Sequence, residues 1–110
     1  MSNIARFDQW RSTAFGSITS SYVAIGTPFA HAMRIVQIIN GTDGDIGISF
    51  DGTTNNVPVL AGGFGLYDIT CGQDTNEQFR YQTGTQLFVK YLTAPTSGTV
   101  YIVCVYGKGE

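Results

Sequence analysis

Charged side chains are scarce in this chain of 110 residues: Asp, Glu, Lys and Arg make up 13% of it, about half of what a soluble domain usually carries. Six basic residues against eight acidic ones leave a net charge of -2, so the basic footprint that draws phosphate backbones or anionic lipid is missing. Nucleic acid and membrane surfaces are therefore not expected as partners. The chain has one histidine, His31, which leaves general acid–base and triad chemistry short of its commonest base. The two cysteines, Cys71 and Cys104, belong to no CxxC pair and have no nearby second ligand cluster, so no zinc site is expected. They read as buried free thiols, and a disulfide between them would require neighbouring strands within bridging distance. The longest strongly apolar run, 100–106, is far too short to span a bilayer, and the opening segment lacks the apolar core of a Sec-type signal.

Helix-forming Leu, Ala, Glu and Lys are also sparse, whereas Val, Ile, Thr and 14 glycines recur throughout. The chain reads as all-β. Short strands are expected at 14–19 and 22–25, then a longer one at 32–40 with apolar residues on both faces. The segment 40–45 (NGTDGD) has turn chemistry and is expected to close a hairpin into a strand whose Ile46, Ile48 and Phe50 share one face. Pro58 confines 57–60 to a sheet edge or a bulge. The glycine-rich 61–65 connects to a strand at 66–71, an exposed polar loop is expected at 73–78, and a weak strand at 79–82. Strands at 86–92 and 99–106 are expected to form a second hairpin through Pro95 and Gly98. In the last strand Val100, Ile102, Cys104 and Tyr106 oppose Tyr101, Val103 and Val105, so both faces are apolar. Such a strand lies inside a covered sheet or meets another subunit. About eight strands at this spacing predict an antiparallel two-sheet sandwich, jelly-roll-like rather than immunoglobulin-like.

His31 fits a solvated position at the start of a strand better than a catalytic one, and nothing near Cys71 in sequence would make it a reactive thiol. Asp43, Asp45 and Asp51 invite a calcium reading, but Thr54 stands where an EF-hand loop needs its bidentate Glu, so turn capping is expected of them. Asp68 and Asp74 pair as glycosidase carboxylates only in the loosest sense. The GGFG segment at 62–65 lacks the Gly-Lys-Ser/Thr of a phosphate loop. Asn40-Gly41-Thr42 matches a glycosylation acceptor but reads as a turn. No cofactor is expected.

The first 14 residues stand apart in composition. Ile4, Phe7 and Trp10 fall three residues apart among Arg6 and Arg11, and a segment this short does not hold a helix alone. Residues 1–14 are therefore expected to be an arm that orders on a partner through Ile4, Phe7 and Trp10, with 15–110 forming the sandwich. Sugar stacking on Trp10 is the competing reading of that ring.

The stretches 15–28 (FGSITSSYVAIGTP), 38–53 (IINGTDGDIGISFDGT) and 84–102 (GTQLFVKYLTAPTSGTVYI) with its continuation to Gly107 resemble small structural proteins of tailed bacteriophage virions. These include capsid decoration or cement proteins and neck or collar components. The resemblance covers about residues 15–107, a pattern of strands and turns without catalytic residues, and implies a β-sandwich homo-oligomer, a trimer or ring, located in the virion. Its expected partners are copies of itself and other virion proteins such as the major capsid or neck protein. The strand face Tyr101, Val103 and Val105 joins Ile4, Phe7 and Trp10 as the expected interface. The expected function is a non-enzymatic cement protein bridging neighbouring subunits. A neck, collar or head-to-tail component, or a carbohydrate-binding jelly roll on the virion surface, is the alternative.

Overall fold

A computed structural model describes residues 4–68 and 83–108. Among them it places nine strands in two antiparallel sheets and no α-helix. The strands are β1 (Ile4–Phe7), β2 (Arg11–Ala14), β3 (Val23–Ala24), β4 (Met33–Asn40), β5 (Ile46–Ser49), β6 (Val57–Val59), β7 (Phe64–Asp68), β8 (Phe88–Tyr91) and β9 (Thr99–Lys108). One sheet runs β1-β9-β4-β7, with β2 continuing β1 along the same edge of β9; the other runs β3-β8-β5-β6. If β1 and β2 are counted as one interrupted strand, each sheet has four positions, and every connection except the one between the paired strands β5 and β6 switches sheets, in the manner of a jelly roll.

The core lies between the sheets and follows from the period-two alternation. Val36 and Ile38 of β4, Ile46 and Ile48 of β5, Val89 of β8, and Val100, Ile102 and Cys104 of β9 are all fully buried. Phe29, Ile25 and Leu87 close the core from the loops. Both faces of β9 are apolar because it is central: its inner set is sealed, while Tyr101, Val103 and Val105 form its outer face. Pro58 sits on the edge strand β6, where its missing N–H costs no ladder bond. The first expected strand at 14–19 is instead the end of β2 followed by a 3-10 turn at Phe15–Ser17. The loop and weak strand expected at 73–82, and Cys71, lie outside the described residues.

Two expected hairpins are absent. β4 pairs with β7 and β9 while β5 pairs with β6 and β8, so 40–45 crosses between sheets rather than turning back within one. The same holds for 92–98, because β8 and β9 lie in different sheets. The reason is that both loops spend their polar groups on distant chain. Asn40, fully buried, donates from Nδ2 to the carbonyls of Gly44 (2.9 Å), Val59 (3.1 Å) and Leu60 (3.2 Å), and its Oδ1 accepts from Thr42 N (3.0 Å) and Thr42 Oγ1 (2.6 Å). The Asp43 carboxylate accepts from Thr96 N at 2.7 Å, from Ser97 N at 3.3 Å and from the Thr96 hydroxyl. Leu92 N and Thr93 N donate to the Asp45 carbonyl at 2.7 and 3.2 Å, and Gly41 N to that of Thr99 at 2.9 Å. The two crossing loops thus lie against each other. Gly98 has a φ of +100°, and a Cβ there would overlap the Gly41 carbonyl oxygen, so this contact tolerates no side chain.

Residues 4–14, expected as an arm, lie along β9 over their full described length. Phe7 faces Val105 and Arg11 faces Ile102 in antiparallel register. The segment contributes backbone hydrogen bonds that β9 would otherwise leave open at a sheet edge.

Two outcomes follow from the loop joint. Asn40→Ala leaves buried backbone carbonyls without donors and should lower the unfolding free energy by about 3 kcal/mol, measured by urea denaturation. Hydrogen bonds from Thr96 first, and Ser97 as well, hold the Asp43 carboxyl below its ordinary value of 3.8. Its contribution is complete above that unfolded value and is lost as pH falls below it, through the depressed folded value. The melting temperature should therefore fall as the pH drops below about 4, and fall less steeply in Asp43→Asn, in thermal scans carried from neutral pH down to about 2.

A candidate interaction face on the five-stranded sheet

Cross-strand pairing aligns the outward side chains of this sheet in rows. Phe64 of β7, Ile39 of β4, Tyr101 of β9 and Ser12 of β2 form one row; Leu66, Gln37 and Val103 form the next. The third row runs from Ile35 through Val105 to Phe7. Phe64 is 67% exposed, Leu66 57% and Phe7 76%, and Ile35, Ile39, Val103 and Val105 are half-buried. An antiparallel sheet with a wet outer face normally carries polar alternates there. Here the alternates are mostly apolar, giving a continuous apolar patch across four strands, of the kind that marks association surfaces.

Of the expected interface residues, Tyr101, Val103, Val105 and Phe7 come together on this face. Ile4 pairs with Lys108 at the far end of β1. Trp10 lies in the turn between β1 and β2, 59% exposed, beside a groove formed with Gly26, Thr27 and Ala30. Sequence reasoning missed Phe64 and Leu66, the most exposed apolar residues of the patch besides Phe7. The usable signal was alternation: Phe64 and Leu66 are two apart, with Gly65 between them and Tyr67 turned to the core.

Arg11 is the other residue whose role differs from its sequence appearance. Expected as one of the arm's basic groups, it is buried. Its Nε donates to Thr27 O at 2.7 Å, Nη2 to Pro28 O at 3.3 Å, and Nη1 pairs with Asp8 Oδ2 at 3.1 Å, while the guanidinium lies 5.1 Å from the centre of the Phe29 ring. It ties the turn between β1 and β2 to the loop preceding β4.

The residues weighed for chemistry have structural partners. The His31 ring stacks on Tyr106, with centroids 3.9 Å apart and planes 5° from parallel. Cys104 is free and buried, and burial pushes its thiol up to about 11 against the opposing pull of Arg11, so it is not a thiolate at neutral pH. Cys71 lies outside the described residues. Asp45 Oδ1 accepts from Ala61 N at 2.9 Å. Asp51 accepts from the Thr53 and Thr54 amides and the Ser49 and Thr54 hydroxyls, and these bonds, led by Thr54 N, hold its carboxyl far below the usual range. Asp43, Asp45 and Asp51 therefore each cap a different loop segment, as turn chemistry requires. Among the described residues no three His, Cys, Asp or Glu side chains converge as a metal site.

No family model matches the chain, and no curated protein matches it. Solved structures share its fold. A chain of the cyanophage Pam1 capsid asymmetric unit superposes with a TM-score of 0.56 at 14% identity, covering 96% of this chain and 85% of that one. The SPBc2 prophage-derived protein YomS gives 0.50 at 14% identity, covering 96% and 97%. A chain from Bacillus endospore appendages, described as a family of disulfide-linked pili, gives 0.50 at 11%, covering 97% and 91%. The chain therefore has the two-sheet antiparallel sandwich fold found in small proteins of phage and prophage origin.

Proposed function

We propose that this chain is a non-enzymatic structural protein of a bacteriophage virion, a capsid decoration or cement protein that bridges neighbouring subunits. The observation that carries this reading is the apolar outer face running from Phe64 and Leu66 through Tyr101 and Val103 to Phe7. A second copy of the chain covers that face, and the resulting homo-oligomer attaches to the particle at several points. Stable association usually buries about 1,600 Å² in total, and multivalent attachment strengthens individually weak contacts. The fold shared with a chain of the Pam1 capsid favours a capsid position over the neck or collar. The partners found for His31, Cys104 and the loop carboxylates favour a role without a covalent step.

Light scattering of the purified chain tests the self-association. The wild type should be a discrete trimer or larger ring. Leu66→Lys combined with Tyr101→Lys should be a monomer that keeps the wild-type circular dichroism spectrum, because both side chains stand outside the core, and should melt lower by the stabilisation that association supplies. A wild type that stays monomeric at every concentration, or a double variant that remains oligomeric, would contradict the proposal.

A further inference from the structure

We propose that the groove beside Trp10 is a binding site for a neutral pyranose sugar. The groove has a volume of about 330 Å³ and lies between the β1–β2 turn and the loop at 26–30. That volume is at the small end of the range for small-molecule sites, about 300–1,000 Å³, which suits one or two sugar rings better than a peptide segment. Two properties of its lining point to sugar. Trp10 offers a large aromatic surface, 59% exposed, at the edge of a concave site, and a pyranose presents a face of C–H groups that packs on such a ring. Around it stand Asp8, Gln9 and Thr27, which between them offer a carboxylate acceptor, an amide able to donate and accept, and a hydroxyl. Equatorial hydroxyls around a ring require that mixture of donors and acceptors.

The site is held in shape before any ligand arrives. Arg11 lies beneath it and joins its two walls, binding Asp8 Oδ2 at 3.1 Å on one side and the carbonyls of Thr27 (2.7 Å) and Pro28 (3.3 Å) on the other. Gly26 lets the walls close this far: its φ is +68°, and a Cβ there would come within 2.6 Å of Arg11 Cγ. A fixed groove loses less entropy on binding than a mobile one. Because the Arg11 charge is engaged by Asp8, the groove has no spare cation for an acidic sugar, which is why a neutral one is inferred.

Trp10 is the one tryptophan in the chain, so its emission reports on this site alone. The full chain is titrated with the methyl glycosides of glucose, galactose, mannose and N-acetylglucosamine, and with a short Leu- and Phe-rich peptide. Saturation-transfer NMR on the same ligands provides a second readout that does not need the indole. At least one glycoside should give a saturable emission change in the millimolar range and saturation transfer to its ring protons. Gln9→Ala should weaken that ligand about tenfold, the effect of one lost hydrogen bond. Trp10→Ala should abolish the transfer while leaving the melting temperature unchanged. The inference is overturned if none of the four glycosides produces either signal, if saturation transfer survives Trp10→Ala, or if the peptide alone perturbs the emission. The site lies within one chain, so a monomeric protein would bind sugar equally well and failure of the oligomer reading would leave this result unaffected.

Discussion

Two loops carry the chain from one sheet to the other at the same end of the sandwich, and their contact is the constraint on which the rest depends. Asp43 gathers the Thr96 and Ser97 amides across 53 and 54 residues of sequence, and Asn40, buried behind it, joins the first loop to the carbonyls that end β6. Asn40 and Thr42 are buried and so need their hydrogen bonds satisfied, while Asp43 adds a solvent-exposed tie to the second loop; the two together make the joint specific. With it in place, β4 and β5 fall in opposite sheets, as do β8 and β9, and the inner faces of all four meet in one core. A hairpin at either loop would place consecutive strands side by side and leave the second sheet without its central members.

The topology in turn decides what is left outside. β9 becomes the centre of the five-stranded sheet, flanked by β4 and by the two N-terminal strands, so one apolar set of its side chains is sealed and the other is presented. The outer face is apolar because β7, β4 and β9 each contribute alternates that are not needed in the core. The N-terminal strands are added to this sheet by backbone pairing and fixed by Arg11, which brings Phe7 into the patch and leaves Trp10 in the turn, away from the core. The place of Phe7 on the outer face and the groove beside Trp10 thus both follow from how residues 4–14 are held.

Strand positions, the all-β class and the buried set of β9 were legible in the sequence because period-two alternation is a local property of the pleat. Tyr101, Val103 and Val105 were legible as the second apolar face of their strand for the same reason, whereas Phe7 stood out only by its spacing from Ile4 and Trp10. The crossing loops were not. NGTDGD at 40–45 has the chemistry of a hairpin turn, and only the distant partners of Asn40 and Asp43 distinguish a crossing from a turn. The spacing of Ile4, Phe7 and Trp10 suggests an independent segment, whereas backbone pairing with β9, invisible in side-chain patterns, determines where residues 4–14 lie. Arg11 among polar neighbours looks solvated, and its burial depends on carbonyls 16 and 17 residues away. Phe64 and Leu66 were obscured because Gly62, Gly63 and Gly65 make the start of β7 resemble a loose connection.

Whether the outer face of the five-stranded sheet is an interface within a particle can be seen in a cryo-electron microscopy reconstruction of a phage whose genome encodes this chain. The account predicts density for this sandwich on the capsid, with the Phe64, Leu66, Tyr101 and Val103 surface covered by a neighbouring copy. A particle that lacks the chain, or one in which that face looks into solvent, would contradict it.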